Sequence, residues 1–499
     1  MIQVLAPKMP RGWSLVWLWL ALATAMTSSV PAQDGRPVPN PDAAKAAADA
    51  KPPDEAPPAA NGDKPARPPQ EIFQDPRSKQ ALAIFNPLPY PSPSLRVMGN
   101  PNDRDTIRNM AAGSIAPNPD LIKRYVEYFA AELSKKDNLN AFINPQPNTP
   151  ANAVRAIDRA VTDLITPITV AQANNNPGNF LGIYARQLFD SSFIKLLDNN
   201  LIARIEAVIV LGMVGSSVPK DLDLYINQIN NPDQVMWVKQ WAARGLTAAT
   251  KDGKAVLDAT KTTQAVEALT KFLAGDAKTM PWPVQMRALE AMASLRTAVS
   301  TTSRGRIDAA SVVMPYLIDP EGRPEVRAWA ARALGWMTVP TTVRGYNFAL
   351  LGDAIGRLAA DLGDRIVAEY DRNADDFTNR SDEAALLTGF LLFQTFGAIG
   401  GEPGVKEAGL PQMTHPDARA QSSYFKELSD RIQAEAKQAV DLLRSGGADQ
   451  KGQRDKLAER VKELREFLAT KPPKDRRLVP PDGPEFPAPP AQVAGAKAP

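Results

Sequence analysis

The feature that most constrains this chain is a pair of apolar-periodic segments that recurs along it. Residues 308–337 read DAASVVMPYLIDPEGRPEVRAWAARALGWM. Ala309–Ile318 and Glu325–Met337 flank a polar turn, Asp319-Pro320-Glu321-Gly322. In the second segment Val326, Ala330, Ala333 and Leu334 recur at helical spacing and share one face. Two such helices cannot bury that face alone, so the pattern demands neighbours of the same kind. Shifted by 88 residues, the stretch meets itself without a gap. Asn231-Pro232 falls under Asp319-Pro320, and Val238, Trp241, Ala242, Ala243, Arg244 and Leu246 fall under Val326, Trp329, Ala330, Ala331, Arg332 and Leu334. Lys239 takes the place of Arg327. Val284, Ala288, Ala291 and Met292 form a copy between these two, and Arg204, Ala207, Val210, Leu211 and Gly212 form one before them.

The positions Leu211, Leu246, Met292 and Leu334 are separated by 35, 46 and 42 residues. Helix-pair repeats of the HEAT and armadillo type run at about 40–47 residues. With its apolar helix, Asp/Asn-Pro turn and Val-Arg-x-x-Ala-x-x-Ala-Leu-Gly run, closest at Pro324–Gly335, the chain resembles the HEAT-repeat family. It departs from that pattern at the short 35-residue step and at Thr247, which stands where Gly335 would fall. The resemblance implies an all-α fold, an α-solenoid of antiparallel helix pairs stacked right-handedly, and a scaffold rather than any one activity. Small residues such as Ala242, Ala288, Ala330 and Ala333 would let helices approach within a layer, and Leu246, Met292 and Leu334 would fill the space between layers.

The ends read differently. Lys8 and Arg11 precede an apolar run, Leu15 to Met26, and Val30-Pro31-Ala32 follows. That is the order of a secretory signal at residues 1–32, cut after Ala32. The competing reading, an uncleaved membrane anchor, asks for a run of about 20 residues, longer than this one. Residues 33–101 are rich in Pro and Ala, as in KPPDEAPPAANGDKPARPP, and predict an extended, solvated linker. The α-solenoid is expected over residues 102–400. Helix starts at Asn118-Pro119 and Thr149-Pro150 open it, helices over Asn179–Leu197 and Leu201–Val214 follow, and long helices near Phe348–Tyr370 and Asp382–Ile399 close it. Residues 418–470 carry two more periodic segments. In the second, Leu457, Val461, Leu464 and Leu468 keep coiled-coil spacing, which predicts a helical hairpin that caps the last repeat or projects from it. From 471 to 499 the chain is again Pro-rich and expected to be a disordered tail.

Composition removes several classes of chemistry. Cysteine is absent, which excludes disulfides, thiolate nucleophiles and thiolate metal sites. With 58 basic against 55 acidic residues the net charge is +3, so nothing points to nucleic acid as a partner. The single histidine, His415, rules out a multi-histidine zinc site and is expected in a surface loop. Ser192 and Lys195 have a Ser-x-x-Lys spacing without the companion motifs of acyl-transfer enzymes, and they read as an exposed helix face. Residues 397–404, GAIGGEPG, lack the lysine of a phosphate loop and read as a helix stop.

Two patterns remain open. Asp371, Asn373, Asp375, Asn379 and Asp382 match positions one, three, five, nine and twelve of a calcium loop and resemble an EF-hand or dockerin-type loop. Asp376 stands where such a loop needs Gly, and the alternative is a polar interhelical loop in which Ser381 or Asp382 caps the next helix. Arg204, Lys239 and Arg327 recur at one repeat position; they form either a basic ladder for a ligand or internal pairs with turn acids such as Asp198 and Asp233. Trp241, Trp329 and Trp336 are expected to pack in the core.

No nucleophile, base or metal constellation supports an enzyme, and no cofactor is implied beyond that calcium loop. The expectation is an exported, non-enzymatic scaffold, periplasmic or extracellular, that binds another protein on its concave face. The alternative is a structural, self-associating envelope protein tethered by its Pro-rich linker, with membrane contact only if the N-terminal segment is uncleaved. Amino-terminal sequencing of the protein from its native source is expected to start at Gln33; a chain starting at Met1 contradicts the signal reading.

Overall fold

Helix starts in this chain are written in capping chemistry. Asn118 accepts hydrogen bonds from the backbone N–H groups of Asp120 and Leu121 at 3.0 and 3.1 Å, with Pro119 in the first turn, where no donor is needed. Asp308 accepts from Ser311 N–H at 3.0 Å in the same way. The structure, a computed structural model, describes residues 76–91, 101–146, 148–174, 178–214, 219–250, 258–302, 305–372, 383–401, 408–410, 413–445, 449–479 and 483–488. The signal segment and residues 33–75 of the linker lie outside the described residues.

The principal elements, in chain order, are α1 (Pro101–Ala111), α2 (Pro119–Ser134), α3 (Ala156–Ala173), α4 (Gly178–Asp190), α5 (Leu201–Val214), α6 (Pro219–Asn230), α7 (Met236–Thr250), α8 (Ala259–Ala274) and α9 (Trp282–Leu295). They continue with β1 (Val299–Thr302), β2 (Gly305–Asp308), α10 (Ala309–Ile318), α11 (Pro324–Trp336), α12 (Phe348–Arg372), α13 (Glu383–Gly400), α14 (Ser422–Arg444) and α15 (Asp449–Thr470). The fold is mostly helical and its helices pack sequentially. Helices α6 and α7, α8 and α9, α10 and α11, and α12 and α13 pack in pairs. Across the pairs, α5, α7, α9, α11 and α13 each lie against the next, and so do α6, α8, α10 and α12. The repeated face is what they share: Ala207, Val210 and Leu211, then Val238, Ala242 and Leu246, then Val284, Ala288 and Met292, then Val326, Ala330 and Leu334 are all buried in one continuous core.

Side-chain size sets how closely the rows close up. A methyl on Gly335 of α11 would strike the backbone carbonyl of Ala398 in α13, and one on Gly245 of α7 would strike the Tyr225 ring. Tyrosines then tie neighbouring helices together, between the rows and within one, by donating to carbonyls that a helix end leaves free. The Tyr225 hydroxyl donates to Leu211 O at 2.7 Å, and the Tyr316 hydroxyl to Leu273 O at 2.6 Å. The C-terminal hairpin extends both rows, α14 against α13 and α15 against α12. Its buried face is Phe425, Leu428, Ile432, Leu457, Val461, Leu464 and Leu468.

Three sequence expectations need correction. The fold is not purely α: β1 and β2 form an antiparallel ribbon between α9 and α10, with Val299 opposite Asp308. The β-branched Thr297, Val299, Thr301 and Thr302 favour strand there, and Gly305 has φ of 126°, which glycine adopts without strain. The end of the expected linker is folded onto the body. Asn200 donates to Leu82 O and Ile84 O, and Asn199 to Asn86 O, so side-chain amides replace the water that this backbone would otherwise bind. The expected tail folds back as well: Leu478, Val479 and Phe486 are buried, and Asn347 N–H donates to Leu478 O at 2.8 Å. A fourth, smaller difference lies in the helix over Asn179–Leu197, which breaks at Ser191; its hydroxyl accepts from Phe193 N–H and starts a 3-10 turn, Ser192–Asp198.

Gly335→Ala is expected to lower stability by about 1–3 kcal/mol in urea unfolding, because backbone cannot yield as a flexible side chain can. Gly182 of α4 has open space around it, so Gly182→Ala is expected to be neutral or to stabilise by up to about 1 kcal/mol.

Candidate interaction surface

The row of α5, α7, α9 and α11 buries one face and leaves the opposite face half-exposed. The same 88-residue shift that aligns the buried positions also aligns this outer face. Trp241 and Arg244 on α7 correspond to Trp329 and Arg332 on α11, and Arg287 and Glu290 lie on α9 between them. Each arginine lies over its own tryptophan: Arg244 is 5.4 Å from the Trp241 ring and Arg332 5.4 Å from the Trp329 ring. Arg332 is closer still to the Trp336 ring, at 4.0 Å, and its Nη1 donates to Gln394 Oε1 on α13 at 2.6 Å. These stacks hold long side chains in fixed positions while their edges remain half-exposed. Trp336 itself is buried, with its Nε1 donating to Gly397 O at 3.0 Å. Of the three tryptophans expected to pack in the core, Trp336 is buried, and Trp241 and Trp329 are half-buried, packed against the core at its edge.

Electrostatics along this face are balanced. Burial lowers the Arg244 pKa, helped by Arg287 and opposed by Glu290. Arg287 bonds Glu290 on its own helix at 2.5 Å. On α5, Glu206 takes the position of Trp241, and its carboxyl is pushed up to about 7 by burial first and by Asp158 second. Three polar atoms, Trp237 Nε1, Gln240 Oε1 and Glu325 Oε2, are buried without a hydrogen-bond partner among the described residues.

The basic ladder is brought to one seam, but as internal structure. Arg204 Nε donates to Asn199 O at 2.6 Å, and Arg327 Nε donates to Leu317 O at 3.1 Å; both sit at the end of the preceding helical segment. Lys239 is 2% exposed, lies 5.4 Å over the Phe272 ring and pairs with Asp276 at 3.6 Å. Arg327 pairs with Asp361 of α12 at 3.0 Å. Lys239 and Arg327 therefore pair with acids of the next helix pair rather than with a turn acid such as Asp233, whereas the charge that acts on Arg204 is the turn acid Asp198. Sequence spacing pointed along the turn, whereas long side chains reach across to the following layer.

The other candidates separate. His415 is buried rather than on the surface: its Nδ1 accepts from Asp417 N–H at 3.2 Å, and its Nε2 lies 3.0 Å from Val343 O. Lys195 is exposed, Ser192 is half-exposed, and no hydrogen bond joins them among the described contacts. Asp371 has both carboxylate oxygens bonded to the Arg454 guanidinium. Asn373, Asp375, Asn379 and Asp382 of the calcium pattern lie outside the described residues. Among the described residues no cluster of acids and histidines could hold a metal ion, and no helix is long and apolar enough to cross a membrane. No protein-family model, curated protein or solved structure matches this chain.

Glu206 supplies a pH test of this face. Its folded-state pKa is raised, so its contribution to stability is full below about pH 4.5 and is lost as pH rises to about 7. Glu206→Gln is expected to match the wild type at pH 4 and to exceed it at pH 8, by on the order of 1–3 kcal/mol in urea unfolding.

Proposed function

We propose that this protein is an exported, non-enzymatic scaffold, a HEAT-like α-solenoid that binds another protein on the outer face of its α5–α11 row. The observation that supports this most is the recurrence of Trp241–Arg244 at Trp329–Arg332, half-exposed and stacked on one face. Tryptophan and arginine are the residues that carry binding energy at protein interfaces, and rigid stacking lowers the entropy lost when they are covered. Sequential packing in two rows supports the solenoid reading, because each helix pair contacts little beyond its neighbours. Export rests on the order of charge, apolar run and small residues in the first 32 positions.

Crosslinking in the native envelope, followed by identification of what is captured, tests the reading. One specific, stoichiometric partner is expected, with affinity at least about tenfold weaker for Trp241→Ala at unchanged helicity. Binding untouched by that change moves the interface elsewhere. Concentration-dependent self-assembly with no second protein captured contradicts the scaffold and favours a tethered structural protein.

A further inference from the structure

The seam between α12 and the hairpin α14–α15 is built differently from the rest of the core. Gly352, Gly356 and Gly363 on α12 share one helix face. Methyl groups on them would meet Phe425 and Tyr424, Leu428 and Leu468, and Glu435 and Val461, respectively. Hairpin side chains thus reach the α12 backbone, and polar groups are brought into the same seam. Asp353 Oδ1, the Tyr424 hydroxyl, Arg431 Nε and both carboxyl oxygens of Glu435 are buried without a hydrogen-bond partner among the described residues.

Glu435 is the extreme case, fully buried against Gly363. The charged groups facing it are Asp361 and Asp364 on α12 and Arg465 on α15. The described side chains of α13, residues 388–400, include no titratable group. Arg465 is already bonded to Asp361 at 3.1 Å and to Asp364 at 2.5 Å, and Arg327 of α11 takes the other oxygen of Asp361 at 3.0 Å. The one guanidinium that acts on Glu435 is therefore committed to aspartates, and Asp361 has no oxygen left without a partner. A buried carboxylate with neither donor nor counter-ion is strongly disfavoured, whereas the protonated acid is tolerated.

We propose that the hairpin α14–α15 is a pH-gated closure, seated on α12 while Glu435 holds its proton and released as Glu435 ionises. Burial above all, then Asp364, holds the docked carboxyl well above the ordinary range, with Arg465 opposing. Once the hairpin is released, the carboxyl returns toward its ordinary value near 4.5. Docking is at full strength below that pH and weakens about tenfold for each pH unit above it, until the docked value is passed.

The chain has no cysteine, so two introduced cysteines can carry spin labels without further change. Lys462→Cys on α15 and Glu321→Cys in the exposed turn before α11 report the distance from hairpin to row. At pH 5 one narrow distance distribution is expected. A second, longer one should grow as pH rises to 9. Glu435→Gln and Glu435→Met, each neutral at every pH, should keep only the narrow distribution throughout; whichever of them retains wild-type helicity carries the comparison. A wild type that stays in the narrow distribution at pH 9, or a variant that opens alongside the wild type, overturns the proposal.

Discussion

A thirteen-residue helix with Val326, Ala330, Ala333 and Leu334 on one face is too short to persist by itself. Its stability must come from what covers that face. In this protein the cover is another helix with the same face, two places along the chain, and that helix needs its own cover in turn. The requirement passes from α5 through α7, α9 and α11 to α13, and it accounts for the small residues at the contacts. Where α11 meets α13, Gly335 lies so close to Ala398 that no side chain fits.

Charge is arranged to serve the same stacking. Lys239 and Arg327 use their stems as packing material and their heads to reach an acid of the next pair, Asp276 or Asp361. Asp361 also bonds Arg465, so the last repeat and the hairpin share one ion-pair network. What the row does not consume is on its outer face, where Trp241 and Trp329 hold their arginines in place. Core and candidate surface thus come from alternate faces of the same helices.

Much of this was legible in the sequence because it follows from periodicity. The helices over Ala309–Ile318 and Leu201–Val214 fall where their apolar spacing and flanking turns place them. The buried faces were legible for the same reason. The ribbon of β1 and β2 was missed because it is short, and its signal is only the β-branched residues before Gly305. The docked ends were missed because Pro-rich composition reads as solvated, while the groups that hold them, Asn199, Asn200 and Asn347, lie far away in sequence. Of the candidate surface, the recurrence of Trp and Arg was visible, but not which face they occupied. His415 and Glu435 were hidden more deeply: their burial depends on elements distant in the chain, Val343 for one and Gly363 for the other.

Stacking of each helix on the one two places along is the claim on which the rest stands, and zero-length crosslinking tests it directly. Lys261 of α8 lies 2.5 Å from Asp223 of α6, thirty-eight residues away, and both side chains are accessible. Carbodiimide treatment of the intact protein at low concentration is expected to join Lys261 to Asp223 within one chain. Absence of that link, with Lys261 joined instead to acids of the hairpin or of α2, would contradict the stacking.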